Sequence, residues 1–479
     1  MNRGGSSGAG APGRGATAPR TVLKFGGTSV ASPAALLRVA EIVKATKGER
    51  IVVVSATAGT TDALIGAARA AEAGDAQSAQ DTLQALSAAH RNLIADALGF
   101  ESADVLKEIA DLTERTDALL QSVAILRECT PRTLDAIVSY GERVSAPVVA
   151  AVLEHKGTKA EALSAEGLII TDDAFGHANP ILEETRARAS KELDSRLDYG
   201  VVPVVTGFIG STADGVTTTL GRGGSDYSAA VLAAVTNANE LRIYTDVSGV
   251  MSADPRFVKN AKPLATISYA EAAELSYFGA KVIHPRTVLP AVEAGVPVRI
   301  LNTFAPSDPG TTITHDTQQD GSVVKATTSL GGLGLITVQG AGMSGVPGFA
   351  ARVFDTAAAE RVSVMMISQS SSENSICLVV PDDATERLKA SLEKMFNAEL
   401  RRHDVEKIDV ERPVAIVAAV GEGMRGTPGV AARVFTALGK AGVNVVAIAQ
   451  GSSELNISLV VLEKDREKAV RLIHEEFHR

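Results

Sequence analysis

The sequence is poor in cysteine and lacks long apolar runs. Its 479 residues include only two cysteines, Cys129 and Cys377. Two thiols form neither a disulfide framework nor a set of metal ligands, which fits a reducing cytoplasm. No apolar segment reaches the length that spans a bilayer, and residues 1–19 lack the apolar core of a signal peptide. We therefore expect a cytoplasmic protein with no membrane partner and a disordered leader over residues 1–19.

Positive charge is also scarce. Lysine and arginine number 47 against 56 aspartates and glutamates, so the net charge is −9. No cluster of lysine and arginine is present, and we expect no nucleic-acid partner. With 45% hydrophobic and 22% charged residues, the composition is typical of a globular chain that is long enough for two or three domains.

The first motif with chemical content is TVLKFGGTSV, close to the N-terminus. An apolar run leads into Lys24 and the pair Gly26-Gly27, and Ser32-Pro33 then provides an N-cap and a first-turn proline for a helix. Glycines let backbone amides approach an anion, and Lys24 adds a positive charge, so this segment is a candidate phosphate site. A tight turn without a ligand fits the same residues. The P-loop pattern is absent, because Lys24 precedes the glycines.

A second segment, TTTLGRGGSDYSAAVLAAV, repeats this arrangement. Here Arg222 precedes Gly223-Gly224, and Asp226 lies at the start of a predicted helix. Both glycine turns follow β-branched runs that fit the strands of a parallel sheet. Because ligands of open α/β sheets bind at the carboxyl ends of the strands, the two turns could face each other across one crevice.

The remainder of the first 320 residues alternates apolar strands with helices, which predicts an α/β fold. The predicted elements are a strand that begins at Ile51, a helical excursion over residues 66–128, one long helix over residues 135–157, strands over residues 201–211, 241–246 and 296–303, and a helix from Ser268.

From about residue 320 the chain repeats itself. Residues 342–380 match residues 423–461 at 21 of 39 positions, with a constant offset of 81 residues. Each copy has the pattern strand, helix, strand, strand, helix. This order predicts two ferredoxin-like βαββαβ modules.

Two motifs in this half match the sequence patterns of dinucleotide-binding and zinc-binding sites. Each repeat opens with G-x-G-x-x-G, at Gly340 and Gly421, but no acidic residue follows the second strand, where a bound ribose would need one. The tail HEEFH, residues 474–478, fits the zinc pattern H-E-x-x-H, yet we predict a surface helix there and find no third ligand. We interpret both motifs as coincidences and predict no metal site.

Five motifs and the repeats together resemble aspartate kinase. The motifs are KFGGTSV, SYGERVSA, GRGGSDYSAA, YTDVSGVMSADPR and FGAKVIHPRT, followed by ISQSSSENS and IAQGSSELNIS in the repeats. The resemblance extends from about Thr21 to the end of the chain. It implies an amino-acid-kinase (carbamate-kinase-like) three-layer αβα sandwich over residues 20–316, followed by two ACT domains over residues 323–400 and 401–479. ACT domains are small modules that bind amino-acid effectors.

The resemblance also implies an activity. Aspartate kinases transfer the γ-phosphoryl group of ATP, bound with Mg²⁺, to the side-chain carboxylate of L-aspartate, the first step toward lysine, threonine and methionine. Lys24 would bridge the transferring phosphate and the attacking carboxylate, and Asp226 would orient Lys24. The substrate-binding residues implied are Ser55, Thr61, Glu142, Arg222 and Asp226, with Arg222 on the α-carboxylate and both acids around the α-amino group.

The implied nucleotide site combines both glycine turns with later loops. Gly26, Gly27, Gly223 and Gly224 would donate amides, Thr245 and Asp246 would contact the nucleoside, Arg256 would reach the phosphates, and Lys281 with Val282 would frame the adenine. Members of the family often carry tyrosine where this chain has Met251. A hydroxyl contact is lost there, so the predicted site omits Met251.

Regulation is implied by the second strand of each repeat, which ends in Gln369 or Gln450. Family members that respond to threonine tend to carry glutamine there, and its amide can both donate and accept hydrogen bonds. We expect feedback inhibition by threonine, with lysine as the alternative. We also expect a homodimer or higher homo-oligomer formed by edge-to-edge pairing of ACT domains.

Other functions fit parts of the sequence. Another amino-acid kinase, such as one acting on glutamate, would need the same Glu142 and Arg222. An ACT-regulated dehydrogenase is supported only by the G-x-G-x-x-G matches. A catalytically inactive amino-acid sensor would not need the intact Lys24, Arg222 and Asp226. Nothing after Arg479 indicates a fused homoserine dehydrogenase, and we expect none.

Overall fold

The computed structural model describes residues 18–279, 283–315 and 322–478. Most of the predicted leader, together with Lys281 and Val282, lies outside these residues. The chain divides into two compact units, Met1–Asp246 and Val247–Arg479.

The first unit alternates strands and helices, as the sequence predicts. In chain order its elements are β1 (Arg20–Phe25), α1 (Pro33–Ala45), β2 (Glu49–Val54), α2 (Thr60–Glu72), α3 (Ala76–Leu98), α4 (Ala103–Leu126), α5 (Pro131–Val138), α6 (Tyr140–His155), β3 (Ala160–Leu163), α7 (Leu182–Asp198), β4 (Val202–Thr206), β5 (Ile209–Ser211), β6 (Thr217–Thr219), α8 (Gly224–Val235) and β7 (Glu240–Thr245).

Five of these strands form a parallel sheet in the order β3-β4-β2-β1-β7. The side chains of Val22, Leu23 and Phe25 on β1 are completely buried. Continuous burial of this kind is typical of parallel strands covered on both faces. Phe25 and Val54 are register partners at the ends of β1 and β2. The loops that follow these two residues therefore start side by side at one edge of the sheet.

Two predicted elements are interrupted. The helix predicted over residues 135–157 consists of α5 and α6, which meet at Ser139, where the hydroxyl donates to the Ala136 carbonyl at 2.7 Å. Such side-chain bonds compete with the helical pattern. The strand predicted over residues 201–211 consists of β4 and β5. The chain turns between them at Phe208, whose φ of 66° lies in the left-handed region. The preceding Gly207 packs closely on Ser225, whose Cβ would lie 2.7 Å from a Cβ at residue 207.

Helices α5 and α6 together have the length and composition of a membrane-spanning helix. However, 83% of their most apolar 18-residue segment is buried inside the protein, as in the core helix of a globular domain. We expected no apolar segment of this length. That expectation holds only if the charged residues Glu142 and Arg143 are taken to divide the apolar segment.

The second unit contains the end of the predicted kinase region and both repeats. Its elements are β8 (Thr266–Ser268), α9 (Tyr269–Tyr277), α10 (Pro285–Glu293), β9 (Val298–Asn302), β10 (Thr311–Thr314), β11 (Ala326–Gln339), α11 (Phe349–Ala359), β12 (Met366–Gln369), β13 (Ser375–Pro381), α12 (Thr385–Met395), α13 (Asn397–Arg402), β14 (Lys407–Val420), α14 (Val430–Lys440), β15 (Ala447–Ala449), β16 (Asn456–Leu462) and α15 (Arg466–Phe477).

The two repeats share their longest strands. Strands β11 and β14 have 14 residues each and pair antiparallel. The second half of β11 pairs with β13 and with the first half of β14. The second half of β14 pairs with β16 and with the first half of β11. Each ferredoxin-like sheet is thereby completed by a strand segment from outside the 39-residue repeat.

This sharing departs from the predicted chain order in the second module. The first module keeps the βαββαβ order, because its last strand, the first half of β14, follows it in the chain. The second module takes its fourth strand from residues 326–330, which precede the first module. The predicted boundary between residues 400 and 401 stays a prediction, since the sheet itself divides within β11 and β14.

The repeated glycine motifs serve packing. A Cβ at Gly340 would lie 2.2 Å from the Asp404 carbonyl oxygen, and one at Gly421 would lie 2.6 Å from the Val323 carbonyl oxygen. These distances are shorter than real Cβ contacts, so the backbone of the neighbouring segment occupies the space beside each glycine. This close approach supports the rejection of a dinucleotide site.

The HEEFH tail differs from its prediction in one respect. His474 on α15 is buried, and its Nε2 lies 2.9 Å from the Ser252 hydroxyl. Helix α15 therefore does not present this histidine on the surface, because Ala469, Val470 and Ile473 bury the same face in the core of the second repeat. Within the described ranges, no group of three or more His, Cys, Asp or Glu side chains could hold a metal ion.

Candidate active site

A cavity of about 510 Å³ lies where β1, β2 and the start of α8 meet in the first unit. It brings together every substrate-binding residue that the sequence predicts. The predicted residues that line it are Lys24, Ser55, Thr61, Glu142, Arg222, Gly223, Gly224 and Asp226.

Lys24 and Asp226 form an ion pair in this cavity. Lys24 Nζ lies 2.6 Å from Asp226 Oδ1, and the two side chains are 10% and 16% exposed. Asp226 belongs to the first turn of α8, where the helix dipole favours negative charge. Gly223, the N-cap of α8, has a φ of 71°, which favours glycine. This contact joins the lysine that precedes the first glycine turn to the aspartate that follows the second.

Glu142 contributes a buried carboxylate. It lies in the first turn of α6, and its Oε2 has no hydrogen-bond partner within the described residues. Burial raises the pKa of Glu142 to about 7, although the Ala56 amide and the Lys24 charge act in the opposite direction. Gly141 permits this placement, because a Cβ there would lie 2.5 Å from the Ala56 Cβ. A buried carboxylate with an unpaired oxygen is suited to a cationic ligand.

Arg222 contributes a second positive charge to the cavity, four residues before Asp226 in the chain. Its side chain lines the cavity but makes no hydrogen bond or ion pair within the described part of the chain. The preceding Gly221 has a φ of 73°, so the turn that carries Arg222 favours glycine. The guanidinium is free to bind a carboxylate through two parallel hydrogen bonds.

The first glycine turn plays a different part from the second. Residues Gly27–Val30 form a short 3₁₀ turn, and neither Gly26 nor Gly27 lines the cavity. A Cβ at Gly27 would lie 2.7 Å from the Ala56 carbonyl oxygen. Glycine at this position therefore allows the loop after β2 to pack on the turn. The predicted amide contacts of Gly26 and Gly27 to phosphate stay predictions.

The predicted nucleotide residues are distributed over both units. Thr245 ends β7, and its hydroxyl donates to Asp246 Oδ1 at 3.1 Å. Arg256 belongs to the second unit, where its side chain is 79% exposed and forms an ion pair with Asp254 at 2.6 Å. Lys281 and Val282 lie outside the described residues. The nucleotide contacts of all these residues stay predictions.

Asp135 is a functional candidate that the sequence did not reveal. This buried carboxylate accepts the amides of Gly176 and Thr219, both at 2.9 Å, and the Thr219 hydroxyl at 2.7 Å. Burial raises the pKa of Asp135, and its hydrogen bonds lower it. Through Thr219, Asp135 anchors the end of β6, just before the turn of Arg222. Its partners are 41 and 84 residues away in the chain, so no local pattern indicates this role.

A second cavity, of about 430 Å³, lies in the first repeat. Gln369, the last residue of β12, lines it together with Glu373. Glu373 Oε2 accepts the Gly345 amide at 2.9 Å, and Glu454 Oε2 accepts the Gly426 amide at 2.6 Å in the second repeat. Both repeats thus contain the same loop contact. The other residues that line the cavity are Met343, Gly345, Val346, Pro347, Gly348, Phe349, Ala350, Ala351 and Ile376.

Gln450 lies at the corresponding place in the second repeat. It directly follows β15, and its side chain is exposed. Both glutamines therefore stand where the sequence predicts them, at the end of the second strand of a module. Their binding of an effector stays a prediction.

Family comparisons agree with this architecture. Residues 19–302 match the Amino acid kinase family, and residues 336–396 and 417–477 each match the ACT domain. The bifunctional aspartokinase/homoserine dehydrogenase 1 of Arabidopsis thaliana, a chloroplastic protein, is 38% identical over 465 residues, which cover 95% of this chain and 51% of the relative. The chain thus spans about half the length of that relative.

A bacterial relative is matched over nearly its full length. The lysine-sensitive aspartokinase 3 of Escherichia coli is 34% identical over 95% of this chain and 98% of its own. The crystal structure of E. coli aspartokinase III with lysine and aspartate has a TM-score of 0.81 at 33% identity, covering 96% of this chain and 99% of that one. Its complex with aspartate and ADP has a TM-score of 0.76 at 33% identity, covering 96% and 100%. The predicted fold class is confirmed, and the chain belongs to the amino acid kinase family, as an aspartokinase with two ACT domains.

Proposed function

We propose that this protein is an active aspartate kinase. It transfers the γ-phosphoryl group of MgATP to the side-chain carboxylate of L-aspartate and yields 4-phospho-L-aspartate, the first step of the pathway to lysine, threonine and methionine. The observation that carries the proposal is the Lys24–Asp226 ion pair in a cavity that also presents Arg222 and Glu142.

The charges of the cavity complement those of aspartate. Arg222 binds the α-carboxylate in a bidentate pair. Glu142, whose Oε2 lacks a hydrogen-bond partner among the described residues, accepts the α-ammonium together with Asp226. Ser55 and Thr61 line the same cavity and offer hydroxyls to the substrate. The amino acid is thereby held by its backbone groups, which leaves the side-chain carboxylate to react.

The reaction needs positioning and charge neutralisation. An oxygen of the side-chain carboxylate attacks the γ-phosphorus and forms the new O–P bond. The bond from the γ-phosphorus to the β,γ-bridging oxygen breaks, and ADP leaves with that electron pair. Lys24 neutralises charge on the transferring group and on the attacking carboxylate, and Asp226 orients its ammonium. The amides at the start of α8 add fixed donors, and Mg²⁺ arrives with ATP as part of the substrate.

Aspartate is favoured over glutamate as the acceptor. Glu142 and Arg222 would bind the backbone groups of either amino acid. The relatives provide the distinction, because the two crystal complexes of E. coli aspartokinase III described above contain aspartate.

We propose feedback inhibition by threonine, with lysine as the alternative effector. Gln369 and Gln450 would bind the effector at the ends of β12 and β15. Lysine stays open because the relative in E. coli is named lysine-sensitive. The test compares inhibition of the wild type with that of the Gln369→Ala/Gln450→Ala variant. Equal inhibition of the two proteins would refute the assignment of these residues.

We propose a cytoplasmic homodimer or higher homo-oligomer that pairs through its ACT domains, residues 323–400 and 401–479, with residues 20–316 as the kinase domain. Ile367 on β12 and Ile448 on β15 are exposed large apolar residues at equivalent repeat positions, which supports pairing at these strands. A monomeric mass by light scattering at micromolar concentration would refute the oligomer.

The activity is tested by trapping the acyl phosphate with hydroxylamine. The protein is incubated with MgATP and either aspartate or glutamate, with and without threonine or lysine. We expect a hydroxamate from aspartate and little from glutamate. No hydroxamate from aspartate would refute the proposed function, and a product from glutamate alone would reassign the substrate.

A further inference from the structure

We propose that His90, on helix α3, is a positioning residue that holds the loop Ser55–Thr61 in its substrate-binding geometry. The proposal rests on the proposed function, because it concerns how the aspartate site is shaped. His90 lies in the helical excursion, and the sequence motifs do not include it. Its imidazole does not line the cavity of Lys24 and Asp226, so it would act through the loop and not on the substrate.

The imidazole of His90 bridges α3 and the loop. His90 is 2% exposed, its Nδ1 lies 2.7 Å from the Leu86 carbonyl oxygen, and its Nε2 lies 3.1 Å from the Thr57 hydroxyl. The Thr57 hydroxyl in turn lies 2.6 Å from the Thr60 hydroxyl, in the first turn of α2. Four groups on three segments are therefore joined in one chain of hydrogen bonds.

The direction of these hydrogen bonds follows from the chemistry of the groups. A carbonyl oxygen can only accept, so Nδ1 carries the proton and donates to Leu86. Burial lowers the pKa of His90 and favours the neutral ring. The unprotonated Nε2 then accepts from the Thr57 hydroxyl, and the Thr57 oxygen accepts from Thr60. One tautomer of His90 thus fixes the rotamers of both threonines.

The loop that is held in this way carries two predicted substrate residues. Ser55 precedes Thr57 by two residues, Thr61 follows Thr60 directly, and both line the active-site cavity. The other side of the loop is also fixed, because the Ala58 amide donates to the Gly27 carbonyl at 3.2 Å. His90 is the side-chain anchor of a loop whose backbone is tied to the first glycine turn.

The His90 ring also contacts Tyr140, which lies two residues before Glu142. The rings of His90 and Tyr140 are in an edge-to-face arrangement with centroids 6.2 Å apart. Tyr140 precedes Gly141 and Glu142 at the start of α6. Loss of the imidazole would therefore loosen the support of the loop and of the neighbouring carboxylate, both of which belong to the amino-acid side of the site.

Two substitutions separate the hydrogen bonds of His90. In His90→Gln, the amide reaches the place of Nε2 and can still accept from Thr57. In His90→Asn, the amide reaches only the place of Nδ1 and can keep the Leu86 bond. We expect His90→Asn to raise the KM for aspartate about tenfold, as for the loss of one buried hydrogen bond, with the KM for MgATP unchanged. The KM of His90→Gln for aspartate should be close to that of the wild type.

Thr57→Val provides an independent arm, and His155→Asn is a control on an exposed histidine. Thr57→Val should raise the KM for aspartate by a similar factor, and combining it with His90→Asn should add little, because both remove the same bond. His155→Asn should leave all constants unchanged. Initial rates are measured by hydroxamate formation on the full-length protein, and circular dichroism measures the folded fraction.

The outcomes are distinct. Equal KM values for aspartate in wild type, His90→Asn and Thr57→Val, at equal folded fractions, would overturn the proposal. So would a parallel rise of both KM values, or additive effects of the two substitutions, because these indicate general loosening. If the wild type itself formed no hydroxamate from aspartate, the proposed function would fail, whereas normal wild-type activity with insensitive variants would refute only the role of His90.

Discussion

At the scale of single residues, Glu142 has the most informative chemistry. Its carboxyl is buried, which raises its pKa to about 7. If it binds the α-ammonium of aspartate, only its ionised form serves. The protonated fraction of the free enzyme grows as pH falls below 7, so the KM for aspartate should rise about tenfold from pH 8 to pH 6. Glu142→Gln should have a high KM that no longer depends on pH in this range. A flat wild-type profile would contradict the assignment.

The same shift makes a prediction for stability. A carboxyl whose pKa is higher in the folded state than its ordinary 4.5 binds protons more tightly when folded. The free energy of unfolding therefore falls as pH rises from about 4.5 to about 7, by up to roughly 3 kcal/mol. Glu142→Gln removes this loss. Its Tm relative to the wild type should be higher at pH 8 than at pH 5, and an identical difference at both pH values would be inconsistent with a raised pKa.

Some residues of the candidate site could be predicted from the sequence and others could not. Lys24, Arg222 and Asp226 were found because two segments repeat one strand–cation–glycine pattern, and the structure joins Lys24 to Asp226. Asp135 and His90 could not be found in this way. Their roles depend on contacts that only folding creates, such as that between His90 and Thr57, 33 residues apart.

At the scale of elements, helix α9 connects the kinase-like segment of the second unit to the repeats. The buried Glu271 accepts the Ser268 amide at 2.9 Å as part of a capping box, and it accepts the Glu422 amide at 2.8 Å from the glycine motif of the second repeat. Lys325 Nζ lies 3.1 Å from the same carboxylate, and the two side chains are almost completely buried.

Because Glu271 and Lys325 form a buried ion pair, we predict that the effects of substituting them on the free energy of unfolding are strongly coupled. Glu271→Ala would leave the Lys325 charge without its partner, which costs about 3–5 kcal/mol. Adding Lys325→Met should restore much of that loss, because no buried charge remains. Thermal unfolding of the two single variants and the double variant measures this coupling. Additive effects in the double variant would mean that the two charges do not stabilise each other.

The elements of the first unit were predicted well where the pattern is local. Ser32 caps α1, accepting the Ala35 amide at 3.3 Å, and the parallel strands have the expected continuous burial. The interruptions at Ser139 and at Phe208, which has a φ of 66°, were missed. Hydrophobic periodicity contains no signal for either feature.

At the scale of the whole molecule, the two repeats exchange strand segments. The second module needs residues 326–330 as its fourth strand, and the first module needs residues 407–411, which are their counterpart at the 81-residue offset. The prediction of contiguous modules rested on internal similarity, which identifies the copies but not the strands they exchange.

This exchange can be tested with fragments. A fragment of residues 401–479 should not fold cooperatively, because one edge of β14 loses its partner strand. A fragment of residues 322–479 contains all strands of both modules and should unfold in a cooperative transition. Circular dichroism and thermal unfolding distinguish the two fragments. Stable cooperative folding of residues 401–479 alone would contradict the role of residues 326–330.

We propose that the cavity around Lys24 performs phosphoryl transfer to aspartate while the repeats bind an effector separately. The most direct measurement is MgATP-dependent formation of aspartate hydroxamate by Lys24→Ala, with threonine binding measured by calorimetry on the same sample. We predict that turnover falls at least about a thousandfold, since Lys24 neutralises charge in the transition state, and that threonine binding is retained. Turnover close to that of the wild type would contradict this role of Lys24.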